Sequence, residues 1–235
     1  MILTQNKLAD WLSNHQSIGI FKESKADNSY ANILRVIVPQ IFEKYAVILH
    51  PFWINWKVKD LVAKGLSIRE GQKKEDDFQR IPHKDFFSMF GRSFDYSTSF
   101  DVKKEIQKEL SSKRPSWIWG PGEGQLENEE FMYVCGTIQK LYGDQLANFY
   151  YYFTSTITFD KDLLFRGELS EITSLLSRSD IRGAPSTTYS QSKEWCIISD
   201  EDLDFTFVAG PKELIDSITT TNQFEIFEVN PKSVP

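Results

Sequence analysis

Histidine and cysteine, from which most metal centres and nucleophilic sites are assembled, are nearly missing: three and two among 235 residues. His15, His50 and His83 stand far from one another and from either cysteine, so no metal-ligand spacing arises. Cys135 and Cys196 fall inside apolar stretches and read as two buried free thiols. There is no Gly-x-Ser-x-Gly elbow and no cysteine partnered to a nearby histidine, so no catalytic residue is nominated. No run approaches the roughly 18 apolar residues that cross a bilayer. Met1 to Lys7 lacks the charged start and apolar centre of a signal peptide. These absences predict a cytoplasmic protein with no membrane contact, no metal and no cofactor.

Basic residues are in deficit too, 27 Lys and Arg against 33 Asp and Glu, for a net charge of −6. Gripping nucleic acid takes clustered cations, so this balance argues against a nucleic-acid partner and suits a basic protein partner. Gly120-Pro121-Gly122-Glu123-Gly124 lacks the Lys-Ser/Thr of a phosphate cradle, and Glu123 would repel the phosphate. It reads as a turn that delivers the chain to the next helix.

Aromatic residues are plentiful, 14% of the chain with 18 Phe, 9 Tyr and 6 Trp, enough for a packed core with rings left over for the surface. Short strands and helices alternate without a βαβ rhythm. That predicts an α+β fold, a mainly antiparallel sheet packed with several helices. A single domain over 1–235 is expected, with a weak boundary near 111–116, where Ser111-Ser112-Lys113-Arg114-Pro115 has linker composition.

The most legible stretch runs from Glu194 to Ser217. Trp195 to Ser199 reads as a strand apolar on both faces, and Asp204 to Ala209 as a half-buried strand with Asp204 and Thr206 on its polar side. Asp200, Glu201 and Asp202 form the turn, and Pro211 opens a helix with Leu214, Ile215 and Ile218 on one face. This is a C-terminal β-hairpin-helix unit.

Upstream, helices are predicted over Lys7 to His15, after an Asn55 cap, over Lys84 to Phe90, along Val102, Ile106 and Leu110, and from Phe131 to Tyr142 before Gly143. Ser17 to Phe21 reads as a strand, Ile33 to Val38 as a β-branched apolar run, and Pro39 as the start of a helical turn. Ala46 to Leu49 reads as a buried strand stopped by His50-Pro51, and Phe149 to Phe153 and Leu163 to Phe165 as further strands. Leu66 to Gln79 is a charged loop, and Arg182 to Ser192 a loop.

The acidic turn Asp200, Glu201, Asp202 and Asp204 matches the first places of a calcium loop but has Phe205 where Gly is needed and Pro211 where Glu is needed. It reads better as a knob offered to a basic partner. Trp53 and Trp56, beside Phe52, are candidates for an aromatic contact patch. The rival is an enzyme or small-ligand binder with a pocket at the strand end by His50, closed by Arg166 or Trp195.

Val38 to Pro51, Leu163 to Leu169, Glu194 to Gly210 and the segment from Glu123-Gly124 to Gly143 together resemble an uncharacterised family of bacterial proteins common in actinobacteria. The likeness spans about Val38 to Ile218. Where those relatives carry a Trp-rich stretch, this chain reads Ser186-Thr187-Thr188-Tyr189-Ser190. The resemblance implies a bacterial cytosolic protein and transfers no catalytic residue. The function expected is non-catalytic protein binding, with an immunity protein that neutralises a basic toxin as its specific form.

Overall fold

The run Tyr45 to Leu49 is buried at every position, a pattern that a strand adopts only inside a sheet covered on both faces. A computed structural model describes residues 1–4, 7–13, 30–66, 77–95 and 115–231, with positions 103, 105, 106, 108 and 110. In chain order the first elements are β1 (Ile2–Leu3), α1 (Tyr30–Ile37), β2 (Lys44–Leu49), β3 (Phe52–Ile54) and α2 (Trp56–Ala63). Then come β4 (Gln79–Ile81), α3 (His83–Met89), β5 (Ile118–Trp119), α4 (Asn128–Tyr142) and β6 (Leu146–Tyr151). The last are β7 (Leu163–Glu168), α5 (Ile172–Leu176), β8 (Thr187–Ser190), β9 (Cys196–Ser199), β10 (Phe205–Gly210), α6 (Lys212–Thr219) and β11 (Ile226–Glu228). The fold is α+β.

The chain divides into two compact units, Met1–Leu49 with Glu123–Pro235, and His50–Gly122. In the larger unit eight antiparallel strands run in the order β1-β7-β6-β8-β9-β10-β2-β11. The β9–β10 hairpin sits inside this sheet, because β10 also pairs with β2 from Phe205↔Leu49 to Gly210↔Lys44. One face packs on α4, α5 and α6 through Phe131, Val134, Ile138, Leu175, Leu214 and Ile218. Each such side chain contributes roughly 1.5–3 kcal/mol by leaving water. Trp195 lies in that core with no exposed surface, and its indole N–H donates to Gln145 Oε1 at 2.8 Å.

Three local expectations change. Thr206 is buried rather than solvent-facing, since β10 has a neighbour on each side and its hydroxyl shares a 2.7 Å hydrogen bond with Ser199 Oγ. Ile33 to Val38 lies largely in α1, where Tyr30, Ala31 and Leu34 are buried at helical spacing and outweigh β-branched propensity. The stretch assigned to a loop, 182–192, contains the fully buried strand β8. Its hydroxyls disguised it. Predicted features at 17–29, at 67–76, at 102 and at 111–114 lie outside the described residues.

The smaller unit holds a three-stranded antiparallel sheet, β4-β3-β5. Phe52, Ile54, Ile81 and Ile118 point inward against Phe86, Phe87 and Ile106. Phe52 and Phe86 stack at 3.6 Å, and His83 meets the Phe52 ring edge-on at 5.0 Å. Asn55 caps α2 as expected, its Oδ1 accepting from Val58 N at 3.0 Å.

Candidate functional site

The hairpin turn is held by short-range bonds and by a glycine. Leu203 N donates to Asp200 O at 3.0 Å, and Asp202 N donates to Asp200 Oδ1 at 3.1 Å. Gly124 donates to Leu203 O at 2.9 Å and adopts φ +83°, and a Cβ there would sit 3.1 Å from Glu201 Cα. Glycine-rich sequence near 124 therefore serves close backbone approach. Glu201 and Asp202 are exposed, while Asp200 and Asp204 are half-buried. Burial pushes the Asp200 carboxyl above its ordinary range, helped by the Asp202 charge.

Beside this turn lies a segment that sequence reasoning passed over. Thr154 Oγ1 donates to Glu201 Oε2 at 3.1 Å, which ties residues 153–155 to the acidic turn. Phe153, Ile157 and Phe159 follow with 46%, 46% and 49% of their surface exposed. The loop carrying them is firmly held: Ile157 N donates to Asp180 O at 3.0 Å, and Arg182 N to Ser155 O at 2.9 Å. Thr156 Oγ1 accepts from Phe159 N at 3.2 Å. Phe159 has φ 53°, a left-handed conformation that costs a bulky residue roughly 1–2 kcal/mol. Asp162 accepts from Tyr150 OH at 2.5 Å and from Phe153 N at 2.8 Å. Burial first, then the charges of Asp200, Glu201 and Asp162, hold the Tyr152 phenol far above its ordinary range. Acidic groups and exposed apolar side chains thus share one surface of the larger unit.

The smaller unit carries a second surface. Trp53 pairs directly with Arg80 on one side and Trp119 on the other, so all three share the outer face of the sheet. The bond from Asn55 N to Trp117 O, 2.9 Å, extends the pairing by one residue, and Trp117 packs partly against the inner core of this unit. Lys59 Nζ stands 4.6 Å from the Trp56 ring and 5.2 Å from the Trp117 ring. Of the nominated pair, Trp56 is exposed and Trp53 half-buried, and the exposed Trp119, which pairs with Trp53, was not nominated from the sequence.

The proposed pocket residues are not gathered. His50, in the smaller unit, has no exposed surface, and its Nδ1 lies 2.7 Å from Gly122 O, an acceptor that places the proton on Nδ1. Arg166 and Trp195 are in the larger unit on opposite sheet faces. Arg166 aligns with Asn148, Tyr189 and Cys196 across the strands, and Trp195 is one residue before Cys196. An open groove of about 1180 Å³ lies between α4 and α6, lined by Met132, Gly136, Lys140, Lys212 and Asp216 among others. Two of its three acidic groups are engaged: Glu43 accepts from Lys212 N, and Asp216 is bonded to Lys44 and Lys212.

Burial pushes both cysteine thiols well above their ordinary value, which leaves neither with thiolate character at neutral pH. Among the described residues no group of His, Cys, Asp and Glu is arranged to hold a metal ion, and no helix is long and apolar enough to cross a membrane. Compared with known protein families, curated proteins and solved structures, the chain has no match, so its surfaces are read from their own chemistry.

Proposed function

We propose that the chain is a non-catalytic protein that works by binding another protein, through the surface formed by residues 153–162 and the 200–204 turn. The observation that carries this reading is Phe159, half-exposed and held in a left-handed backbone conformation, with the Arg182 guanidinium 4.6 Å from its ring and Asp160 next to it in the chain. A protein that keeps a large apolar ring outside its core, on a loop fixed by backbone bonds, has a preformed contact point. Apolar anchors ringed by charge are the usual anatomy of a protein interface. The acidic rim of Asp160, Asp162, Glu201 and Asp202 selects a basic partner and speeds encounter. In its specific form the reading is an immunity protein that neutralises a basic toxin in a bacterial cytoplasm, in keeping with the family resemblance in the sequence.

Binding kinetics against the partner recovered from the native host test this. Phe159→Ala should speed dissociation and weaken affinity by about 2 kcal/mol, roughly thirtyfold. Asp200→Asn, Asp202→Asn and Asp204→Asn together should slow association more at low salt than at high salt. Unchanged rates in both variants contradict the proposal.

A further inference from the structure

We propose that the outer face of the β4-β3-β5 sheet is a platform for single-stranded nucleic acid, a binding site separate from the protein-binding surface. The net charge of −6 conceals a division. Residues 50–122 carry 14 Lys and Arg against 10 Asp and Glu, while the remaining residues carry 13 against 23. The smaller unit is therefore basic within an acidic chain. The premise that set nucleic acid aside, a chain-wide shortage of cations, does not apply to it.

The same unit holds four of the six tryptophans, Trp53, Trp56, Trp117 and Trp119. Trp117 packs partly against the unit's core, whereas Trp53, Trp56 and Trp119 are not among the rings that form it. Trp119 is 54% exposed and Trp56 39%. Phe78 meets the Trp119 ring edge-on at 5.9 Å and 80°, which fixes the ring without covering both its faces. Cations adjoin the exposed rings: Lys59 lies over Trp56, and Arg80 is the direct neighbour of Trp53 across the sheet.

Flat rings displayed on a sheet face, with cations beside them, match the two things a single strand presents: unstacked bases and a phosphate backbone. A duplex hides the flat faces of its bases and gives the tryptophans nothing to stack on. An acidic polypeptide offers the charge without the rings. Bases would stack on Trp119 and Trp53, with phosphates reaching Lys59 and Arg80, and every base has a flat face, so the site would show little sequence preference.

The test titrates the full chain with a fluorescein-labelled oligodeoxythymidine of about 16 nucleotides, a length that covers one such platform, read by anisotropy and tryptophan quenching. Binding should weaken steeply with salt, and Lys59→Gln should lower the slope of log affinity against log salt by about 0.7. Trp119→Ala and Trp53→Ala should each weaken binding about tenfold, within the range expected for losing one stacked base. Trp119→Phe keeps a ring and should restore most of the affinity, which separates stacking from any general loss of structure. The same sequence as a duplex should bind more weakly. The proposal is overturned if the oligonucleotide does not bind at low salt or if Trp119→Ala binds as well as wild type. It is equally overturned if polyglutamate of matched charge displaces the strand as effectively as unlabelled oligonucleotide, which would assign the face to an acidic protein.

Discussion

The two units solve the problem of burying a sheet in opposite ways. In the larger one, strands such as β2, β9 and β10 are covered on both faces, and even hydroxyl-bearing strands are taken into the interior. In the smaller one, the sheet is three short strands with one apolar face inside and one tryptophan-bearing face outside. A fully covered sheet leaves its connecting loops, 153–162 and 200–204 among them, to present the surface. A half-covered sheet has a face to offer directly. Charge follows the same division, acidic on the larger unit and basic on the smaller.

If each unit rests on its own core, core substitutions should act locally. Phe86→Ala removes a ring stacked on Phe52 and should cost about 3–5 kcal/mol, with loss of hydrogen-exchange protection concentrated in β3, β4 and α3. Phe131→Ala should cost a similar amount but expose α4 and its neighbours in the larger sheet. Equal loss of protection across both units in either variant breaks the comparison.

The next effect concerns the closure of the smaller unit, whose first and last residues are joined by the His50 Nδ1 bond to Gly122 O. His50→Ala removes this part-buried bond and a fully packed ring and should cost about 1–3 kcal/mol in denaturant melts. A null effect would show that the histidine is not structural, which would reopen the idea of a site at that strand end.

A stabilising change sharpens the contrast from the other side. Thr188 pairs with Phe149 and Ile197 on the core face of the larger sheet, and its buried hydroxyl has no hydrogen-bond partner among the described residues. Thr188→Val keeps the shape and removes the orphan, so stability should rise by about 1 kcal/mol. A fall would show that the hydroxyl is satisfied in solution.

The smallest effects are acid–base. The Lys212 and Lys44 ammoniums hold Asp216 below the ordinary carboxylate range, and Arg178 does the same for Asp180. Their lowered values favour the fold at neutral pH, and that contribution is lost as pH falls through them, below about 4. Asp200 has the opposite sign: its raised value means ionisation opposes folding at neutral pH, so Asp200→Asn should slightly stabilise there and make no difference in acid. Melting profiles of the variant and wild type against pH check both signs.

What the sequence revealed was local and periodic. The β9–β10 hairpin, the Asn55 cap, the helix closed by Gly143 and the strand stopped at His50-Pro51 all depend on residues near one another. β8 was hidden because Ser and Thr read as loop, and only its two neighbouring strands make it interior. The units were hidden because the smaller one begins and ends at turn residues 72 positions apart that only the fold joins. The acidic turn and Trp53 with Trp56 were nominated from residue type alone. Phe159 was not, because its exposure depends on Thr156, Asp180 and Arg182 holding the loop.

A photoactivatable phenylalanine analogue at position 159, irradiated in the native host, probes the contact itself. The account predicts a covalent adduct with one basic protein, lost when Asp200, Asp202 and Asp204 are replaced by Asn. Absence of any protein adduct, or one indifferent to those three charges, would contradict it.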